Sequence, residues 1–107
     1  MIDEKMENVT MMTKANVYWN GKVTSRTGYR SDGSRFTLGI ITAGTYTFDV
    51  GDKEVVSLTA GEAEIMLPGE KEWHTVKTPG TFEIPAHSQY QIRTPDVVEY
   101  LCDYYSE

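Results

Sequence analysis

Hydrophobic and polar residues alternate along most of the chain with the two-residue period of half-buried β-strands. Ala63 and Ile65 alternate with Glu62 and Glu64, so we expect one face of this segment to be buried and its carboxylates to face solvent. Similar short segments recur from Val17 onward, with Gly or Pro between them. The predicted strands include residues 55–59, 62–67, 81–84, 90–93 and 97–105. Many short strands separated by turns predict an all-β sandwich or barrel.

The first fourteen residues differ from the rest because they are charged, Met-rich and without strand alternation. We expect residues 1–14 to form an N-terminal extension, either disordered or packed as an arm of a dimer. Residues 15–107 are then a single barrel domain. A chain of 107 residues fits one domain and buries enough surface for a core without disulfide bonds.

Charge and composition exclude several classes of partner. The formal net charge of −6 argues against a nucleic-acid partner, since such proteins neutralise phosphates with Lys and Arg. No apolar run approaches the ~18–20 residues of a membrane helix. The acidic N-terminus lacks the basic and apolar regions of a signal peptide, so we expect a cytoplasmic protein. The single cysteine, Cys102, fits a small core side chain in a reducing compartment.

Two spacings in residues 54–90 resemble those of a cupin. Glu54 lies six intervening residues before Gly61, and Gly80 lies four before Pro85. Strands, Gly turns and a Pro turn follow one another in the order that cupins use. The resemblance implies a single-domain all-β cupin, which is a double-stranded β-helix or jelly-roll barrel.

Histidine usage bears on whether this cupin would bind metal. Metal-binding cupins have paired histidines a few residues before the glutamate, whereas this chain has Phe48 and Val50 there. We therefore predict no metal site. The two histidines, His74 and His87, together with Glu54 still provide three possible ligands, so a metal-dependent enzyme remains an alternative.

A longer resemblance covers residues 16–104. The matching segments are VYWNGKVTS (17–25), TLGII (37–41), GTYTF (44–48), LPG (67–69), GTFEIPA (80–86) and YLCDY (100–104). They resemble a family of short cupins, the pyrimidine/purine nucleoside phosphorylases. The resemblance implies that purine and pyrimidine ribonucleosides react with inorganic phosphate to give free base and ribose 1-phosphate. It also implies that the only co-substrate is phosphate, that no metal or other cofactor takes part, and that the protein is a homodimer.

One position departs from the family pattern. Val55 stands where the family usually has an acidic residue after Glu54. If that missing carboxylate contacts the ribose, activity or substrate range will differ in this chain. The alternative function is a non-enzymatic cupin that binds a small molecule or a sugar phosphate.

Phosphorolysis requires groups that hold phosphate below the sugar. Arg30 and Arg35 bracket a polar loop, and their guanidinium groups suit phosphate oxygens, so both are candidate phosphate ligands. The alternative is a solvated loop whose charges serve solubility. Strand parity places Glu54 on the same face as Val56 and Leu58, which we expect to point inward.

The remaining candidates follow from the charge that develops in the reaction. His87 or Tyr90 is expected to meet the departing base, and Glu54 or Gln91 to accept the ribose hydroxyls. Tyr46 or Tyr90 would stack any base, because every base has a π-face. The alternative role for Glu54 is an internal hydrogen bond to a tyrosine. The candidate catalytic residues are His87, Tyr90 and Glu54, and the candidate substrate-binding residues are Arg30, Arg35, Tyr46 and Gln91.

Overall fold

A computed structural model describes residues 4–106 and places them in eleven β-strands and one 3₁₀ turn. In chain order the strands are β1 (Thr10–Met11), β2 (Asn16–Tyr18), β3 (Val23–Tyr29), β4 (Arg35–Ile41), β5 (Gly44–Val50), β6 (Lys53–Ala60), β7 (Glu62–Met66), β8 (His74–Lys77), β9 (Gly80–Ile84), β10 (Ser88–Thr94) and β11 (Val98–Tyr105). The 3₁₀ turn, Trp19–Gly21, connects β2 to β3. The expected all-β class is confirmed.

The strands form two sheets. The large sheet has the order β1-β3-β4-β11-β6-β9, with β2 also paired to β3, and the small sheet has the order β5-β10-β7-β8. All pairs are antiparallel. Strands distant in sequence, such as β4 and β11, lie side by side, which gives the double-sheet jelly roll. No helix in residues 4–106 has the length and apolar character needed to cross a bilayer.

The core lies between the two sheets. Leu58 and Ile84 from the large sheet pack in one cluster with Ile65 and Ile92 from the small sheet, and all four are buried. The alternation of Glu62 to Met66 is confirmed, with Ala63 and Ile65 in this core and the carboxylates turned outward. Apolar burial between facing sheets is the main force that holds such a sandwich together.

The outer face of the large sheet is also apolar. Phe36 is fully buried there, because its ring lies over Gly28 beside Met11, where any other residue would place a Cβ. Leu38 and Ile40 have the same parity on β4 but are 40% and 43% exposed. Met11 from the N-terminal segment therefore covers only the part of this face around Phe36.

The N-terminal region contributes to the large sheet. Thr10–Met11 pairs with β3, and the Met12 N–H donates to the Thr27 carbonyl at 2.8 Å. Residues 1–3, the start of the expected extension, lie outside the described residues. The predicted strands 55–59, 62–67, 81–84, 90–93 and 97–105 are confirmed with small boundary shifts. β1 was not predicted, because residues 1–14 show no strand alternation, and β8 was not predicted, because Val76 is its one apolar residue.

Candidate functional site

A cavity of about 620 Å³, here called the inter-sheet pocket, is lined by residues from both sheets. The large sheet contributes side chains from β3, β4, β6 and β11, and the small sheet contributes from β5 and β10. This volume lies within the range typical of small-molecule sites. A small-molecule ligand therefore has room here, between the inner faces of the two sheets.

Glu54 is the buried acidic group of the inter-sheet pocket. It shares the inward face of β6 with Val56, as its parity predicted, and lies directly opposite Tyr104 on β11. The thiol of Cys102 donates to Glu54 Oε1 at 3.5 Å. Burial raises the pKa of Glu54, and the positive charge of Arg35 only partly opposes that rise. A carboxyl group held in this way is more easily protonated than a solvated one.

The side chains beside Glu54 are proton donors. The Tyr104 hydroxyl is 3.1 Å from Thr37 Oγ1 and also contacts the Cys102 thiol. Burial raises the pKa of Cys102 and of Tyr104, and the nearby carboxylate of Glu54 adds to both shifts. These groups therefore keep their protons at neutral pH and can donate hydrogen bonds to oxygens in the pocket.

Arg35 is the one cationic residue among the described residues that line the inter-sheet pocket. Its guanidinium carbon is 3.8 Å from the centroid of the Tyr104 ring. Its Nη2 is 3.8 Å from Asp52 Oδ2, which is a loose ion pair between two partly exposed side chains. Stacking on the ring leaves guanidinium N–H groups free for an anion.

Aromatic side chains form another part of the lining. The rings of Phe48 and Tyr90 are nearly parallel, with centroids 5.5 Å apart. Trp19 meets Phe48 edge-on at 5.2 Å, and its own backbone has an unusual φ of +48°, in the left-handed region. Burial raises the pKa of Tyr90 well above its usual range. A planar aromatic ligand would find an apolar, π-rich surface here.

One row of residues crosses four strands beside the pocket. Tyr100 on β11 is opposite Gly39 on β4, Gly39 is opposite Ser25 on β3, and Ser25 is opposite Asn16 on β2. The Tyr100 hydroxyl contacts the Ser25 side chain. Asn16 Nδ2 donates to Ser25 Oγ at 3.2 Å and to Thr27 Oγ1 at 3.1 Å. This row fixes a tyrosine ring against the wall of the pocket.

Three of the sequence-predicted site residues come together, namely Glu54, Tyr90 and Arg35, all of which line the inter-sheet pocket. Arg30 does not line it. Its Nη1 is 2.6 Å from Asp103 Oδ1, and its guanidinium carbon lies 5.0 Å from the centroid of Phe36, the ring that covers the outer face of the large sheet. Arg30 therefore lies on the outer face of the large sheet, and Arg35 lies on its inner face, in the pocket.

The other predicted residues also lie outside the pocket lining. Tyr46 is buried, with its hydroxyl 3.1 Å from the Thr42 carbonyl and its ring packed on Trp19. Gln91 lies between Thr47 and Met66 in the small sheet. His87 is an exposed turn residue whose backbone N–H donates to the Gly51 carbonyl. The structure leaves all three without a contact to the inter-sheet pocket.

Metal ligands are not brought together in the part of the chain that the structure describes. Within residues 4–106, no three His, Cys, Asp or Glu side chains form a group suited to a metal. His74, one of the three possible ligands, pairs with Glu70 at 3.3 Å. The ligand set of Glu54, His74 and His87 is therefore not assembled.

Sequence reasoning overlooked the contribution of the last strand. Tyr100, Cys102 and Tyr104 all line the inter-sheet pocket, whereas the sequence predicted a core side chain for Cys102 and no site role for the two tyrosines. Their shared parity, beside an inward carboxylate, was the available signal. Val55 lies on the opposite face of β6 from Glu54 and does not line the pocket.

The two antiparallel sheets and the pocket between them define a cupin-like all-β protein. A cupin-2 domain from Rhodospirillum rubrum superposes with a TM-score of 0.69 at 17% identity, covering 99% of this chain and 75% of that one. A crystal structure from Acinetobacter sp. ADP1, described as a protein of unknown function, gives a TM-score of 0.92 at 28% identity, covering 94% of this chain and 98% of the other. The expected cupin fold is confirmed.

Sequence comparison narrows this class to one family. Residues 13–104 match the family model for pyrimidine/purine nucleoside phosphorylase. Proteins with that name from Sulfurimonas denitrificans and Syntrophotalea carbinolica are 46% and 44% identical, each over 94% of this chain and 96% of its relative. The chain belongs to the pyrimidine/purine nucleoside phosphorylase family.

Proposed function

We propose that this chain is a nucleoside phosphorylase that acts in the inter-sheet pocket. It cleaves purine and pyrimidine ribonucleosides with inorganic phosphate to free base and ribose 1-phosphate. The observation that carries the proposal is the meeting of one cation, Arg35, one buried carboxyl, Glu54, and an aromatic surface in a single cavity. The family membership of the chain supports the same reaction.

Arg35 binds the phosphate. Its guanidinium stacks on Tyr104 and is therefore already positioned before the anion arrives. A planar group with several N–H donors matches two phosphate oxygens at once. Holding phosphate next to the sugar removes much of the entropic barrier to attack.

Glu54 binds the ribose. Phosphate oxygen forms a bond to the anomeric carbon while the bond from that carbon to the base nitrogen breaks, and the base leaves with the electron pair. The sugar becomes cation-like in between, so a carboxyl group that accepts ribose hydroxyls stabilises it. The proton that the departing base needs comes from the phosphate or from the protonated groups of the lining.

Phe48 and Tyr90 receive the base. Their near-parallel rings offer a stacking surface, and stacking does not distinguish one base from another. Broad base tolerance then needs no base-specific hydrogen bond. His87 and Gln91 do not line the pocket, so neither residue contacts substrate in the proposed reaction.

We also propose that the chain forms a homodimer and is located in the cytoplasm. Leu38 and Ile40 leave an apolar patch on the outer face of the large sheet, next to Met11, and a second copy of the chain would cover it in a homodimer. The free, buried Cys102 supports a reducing compartment such as the cytoplasm. Inorganic phosphate is the co-substrate, and the reaction as proposed needs no other cofactor.

The test is release of free base from uridine, inosine and adenosine, with and without inorganic phosphate. Release that requires phosphate is expected. Release without phosphate would identify a hydrolase, and no release by folded protein would favour the non-enzymatic binding module.

Two arginine variants test the site itself. Arg35→Ala is expected to raise the KM for phosphate at least about tenfold. Arg93→Ala is the matched control, because Arg93 also stacks on an aromatic ring, Trp73 at 4.0 Å, and pairs with Glu64 at 2.9 Å, yet does not line the pocket. Equal effects of the two substitutions would remove Arg35 from the site.

A further inference from the structure

Gly39 occupies an unusual position for a glycine. It lies inside β4 and does not have the positive φ that requires glycine elsewhere in this chain. Glycine in the interior of a strand weakens the strand, because it adds conformational entropy to the unfolded chain and packs no side chain. Because its φ is not positive, the backbone at position 39 could hold other residues. The reason for glycine must then lie in the side chains that surround it.

The Tyr100 ring is the surrounding group. A Cβ built on Gly39 would collide with Cζ, Cε1 and the hydroxyl of Tyr100. The end of the ring therefore lies in the space that any side chain at position 39 would fill. Its hydroxyl contacts Ser25, the next residue in the row, which Asn16 in turn holds by a hydrogen bond.

This arrangement sets the width of the inter-sheet pocket. Tyr100 and Ser25 line the pocket on the large sheet, and Phe48 and Tyr90 line it on the small sheet. Facing sheets are only about 10 Å apart, so a ring that leaves the wall enters the space between them. The ring stays against the wall because Gly39 lets it lie over the backbone.

We propose that Gly39 is a specificity-determining residue, which keeps the inter-sheet pocket wide enough for purine as well as pyrimidine nucleosides by accommodating the Tyr100 ring. The inference rests on the proposed phosphorolysis. A side chain at position 39 pushes the ring toward Phe48 and Tyr90. The larger two-ring bases then lose access before the smaller one-ring bases.

The experiment compares kcat/KM for inosine and for uridine at saturating phosphate in the wild type and in Gly39→Ala. The inosine-to-uridine ratio is expected to fall at least about tenfold, which is the scale at which one methyl group in a packed pocket discriminates between substrates. An unchanged ratio in active Gly39→Ala protein would overturn the inference.

Gly28→Ala is the matched control. Gly28 is in the neighbouring strand and also lies under an aromatic ring, that of Phe36, but on the outer face of the large sheet. Its Cβ would also meet Met11, so a comparable loss of stability is expected. The inosine-to-uridine ratio should stay at the wild-type value, and a fall equal to that of Gly39→Ala would overturn the inference.

Two further variants cover the case in which Gly39→Ala folds poorly. The double variant Gly39→Ala with Tyr100→Leu removes the colliding ring and should bring the ratio back toward the wild-type value. Tyr100→Leu alone should keep or raise the relative rate with inosine, and a selective loss of inosine cleavage would contradict the inference. A wild type that releases no base would instead end the proposed function itself, so the two failures are distinguishable.

Discussion

The guanidinium carbon of Arg35 lies 3.8 Å from the centroid of the Tyr104 ring, and Tyr104 is directly opposite Glu54 across the β6–β11 pair. One tyrosine thus supports the cation of the inter-sheet pocket and neighbours its carboxyl group. The positive charge of Arg35 counteracts part of the rise in the pKa of Glu54. Phosphate and ribose would be held by groups whose positions depend on the same ring.

If Arg35 binds phosphate as proposed, Asp52 competes with the anion for its guanidinium group. The two side chains are 3.8 Å apart and partly exposed, so an incoming anion must displace or share this carboxylate. Asp52→Asn is expected to lower the KM for phosphate severalfold with little change in kcat, as measured by initial rates at varied phosphate.

Glu83→Gln provides a control for the change in net charge. Glu83 pairs with Lys53 at 3.0 Å on the outer side of β9, away from the pocket, so its removal should leave the KM for phosphate unchanged. A raised KM in Asp52→Asn would contradict the prediction and indicate that Asp52 orients Arg35 for binding.

Glu54 makes folding stability depend on pH. Its folded pKa is raised by burial, so the folded state holds the proton more tightly than the unfolded state. Stability is therefore highest below the unfolded pKa, falls as pH rises between the unfolded and folded values, and stays level above them. Glu54→Gln removes this loss, so its Tm relative to wild type should increase as pH rises above the ordinary range of a glutamate carboxyl group.

Thermal unfolding at several pH values measures the effect, with Glu83→Gln as the exposed control that should show no such trend. A Tm difference for Glu54→Gln that is constant with pH would mean that the pKa of Glu54 is not raised. The same variant should lose most phosphorolysis at pH values where Glu54 is ionised if Glu54 binds the ribose, because an amide stabilises the cation-like sugar less than a carboxylate does.

Substitution of the core residue Phe82 tests how much core packing contributes to stability. It is 7% exposed, and its ring meets Tyr90 at 6.0 Å between the sheets. Phe82→Ala is expected to lower the free energy of unfolding by about 3–5 kcal/mol, because it leaves a cavity in close-packed surroundings. Denaturant unfolding checks this value, and Leu38→Ala on the outer face should cost clearly less.

The exposed apolar patch on the large sheet predicts the effect of a charge on assembly. Ile40→Glu should convert a dimer to monomers, because the carboxylate would have to be buried without a partner at the interface. Sedimentation velocity measures the change. Thr45→Glu, an exposed position on the small sheet, is the control. A wild type that is already monomeric would refute the homodimer.

Strand parity explains which parts of the site were predictable. Glu54 lies on β6, where alternation gives its inward direction. On β4 the outer face carries Phe36, Leu38 and Ile40, so hydrophobic alternation alone would turn Arg35 away from the core, yet Arg35 lines the pocket. Arg30 follows β3 in a turn, where no alternation applies, and only the fold reveals its ion pair with Asp103. Trp19 reaches the pocket through a turn with positive φ, which no strand pattern predicts.

Aromatic count alone also gave an incomplete picture of the site. Tyr46 and Tyr90 lie on the same face of two paired strands, yet only Tyr90 lines the pocket, whereas the Tyr46 ring packs on Trp19 and its hydroxyl donates to the Thr42 carbonyl. The proposed role of Gly39 was likewise hidden, since it depends on its cross-strand neighbour Tyr100, 61 positions later in the chain. Long-range register decides such contacts, and a single sequence does not contain it in readable form.

The reactivity of the Cys102 thiol reports how often the inter-sheet pocket opens. The side chain is 1% exposed, donates to Glu54, and has a pKa raised by burial, so it is almost never a thiolate in the closed protein. Thiol reagents attack the thiolate, so labelling must wait until the two sheets separate locally. Because this is the only cysteine in the chain, the rate of thiol labelling reports the frequency of local separation of the two sheets. A nucleoside that contacts both walls of the pocket would then lower the rate at which Cys102 is labelled.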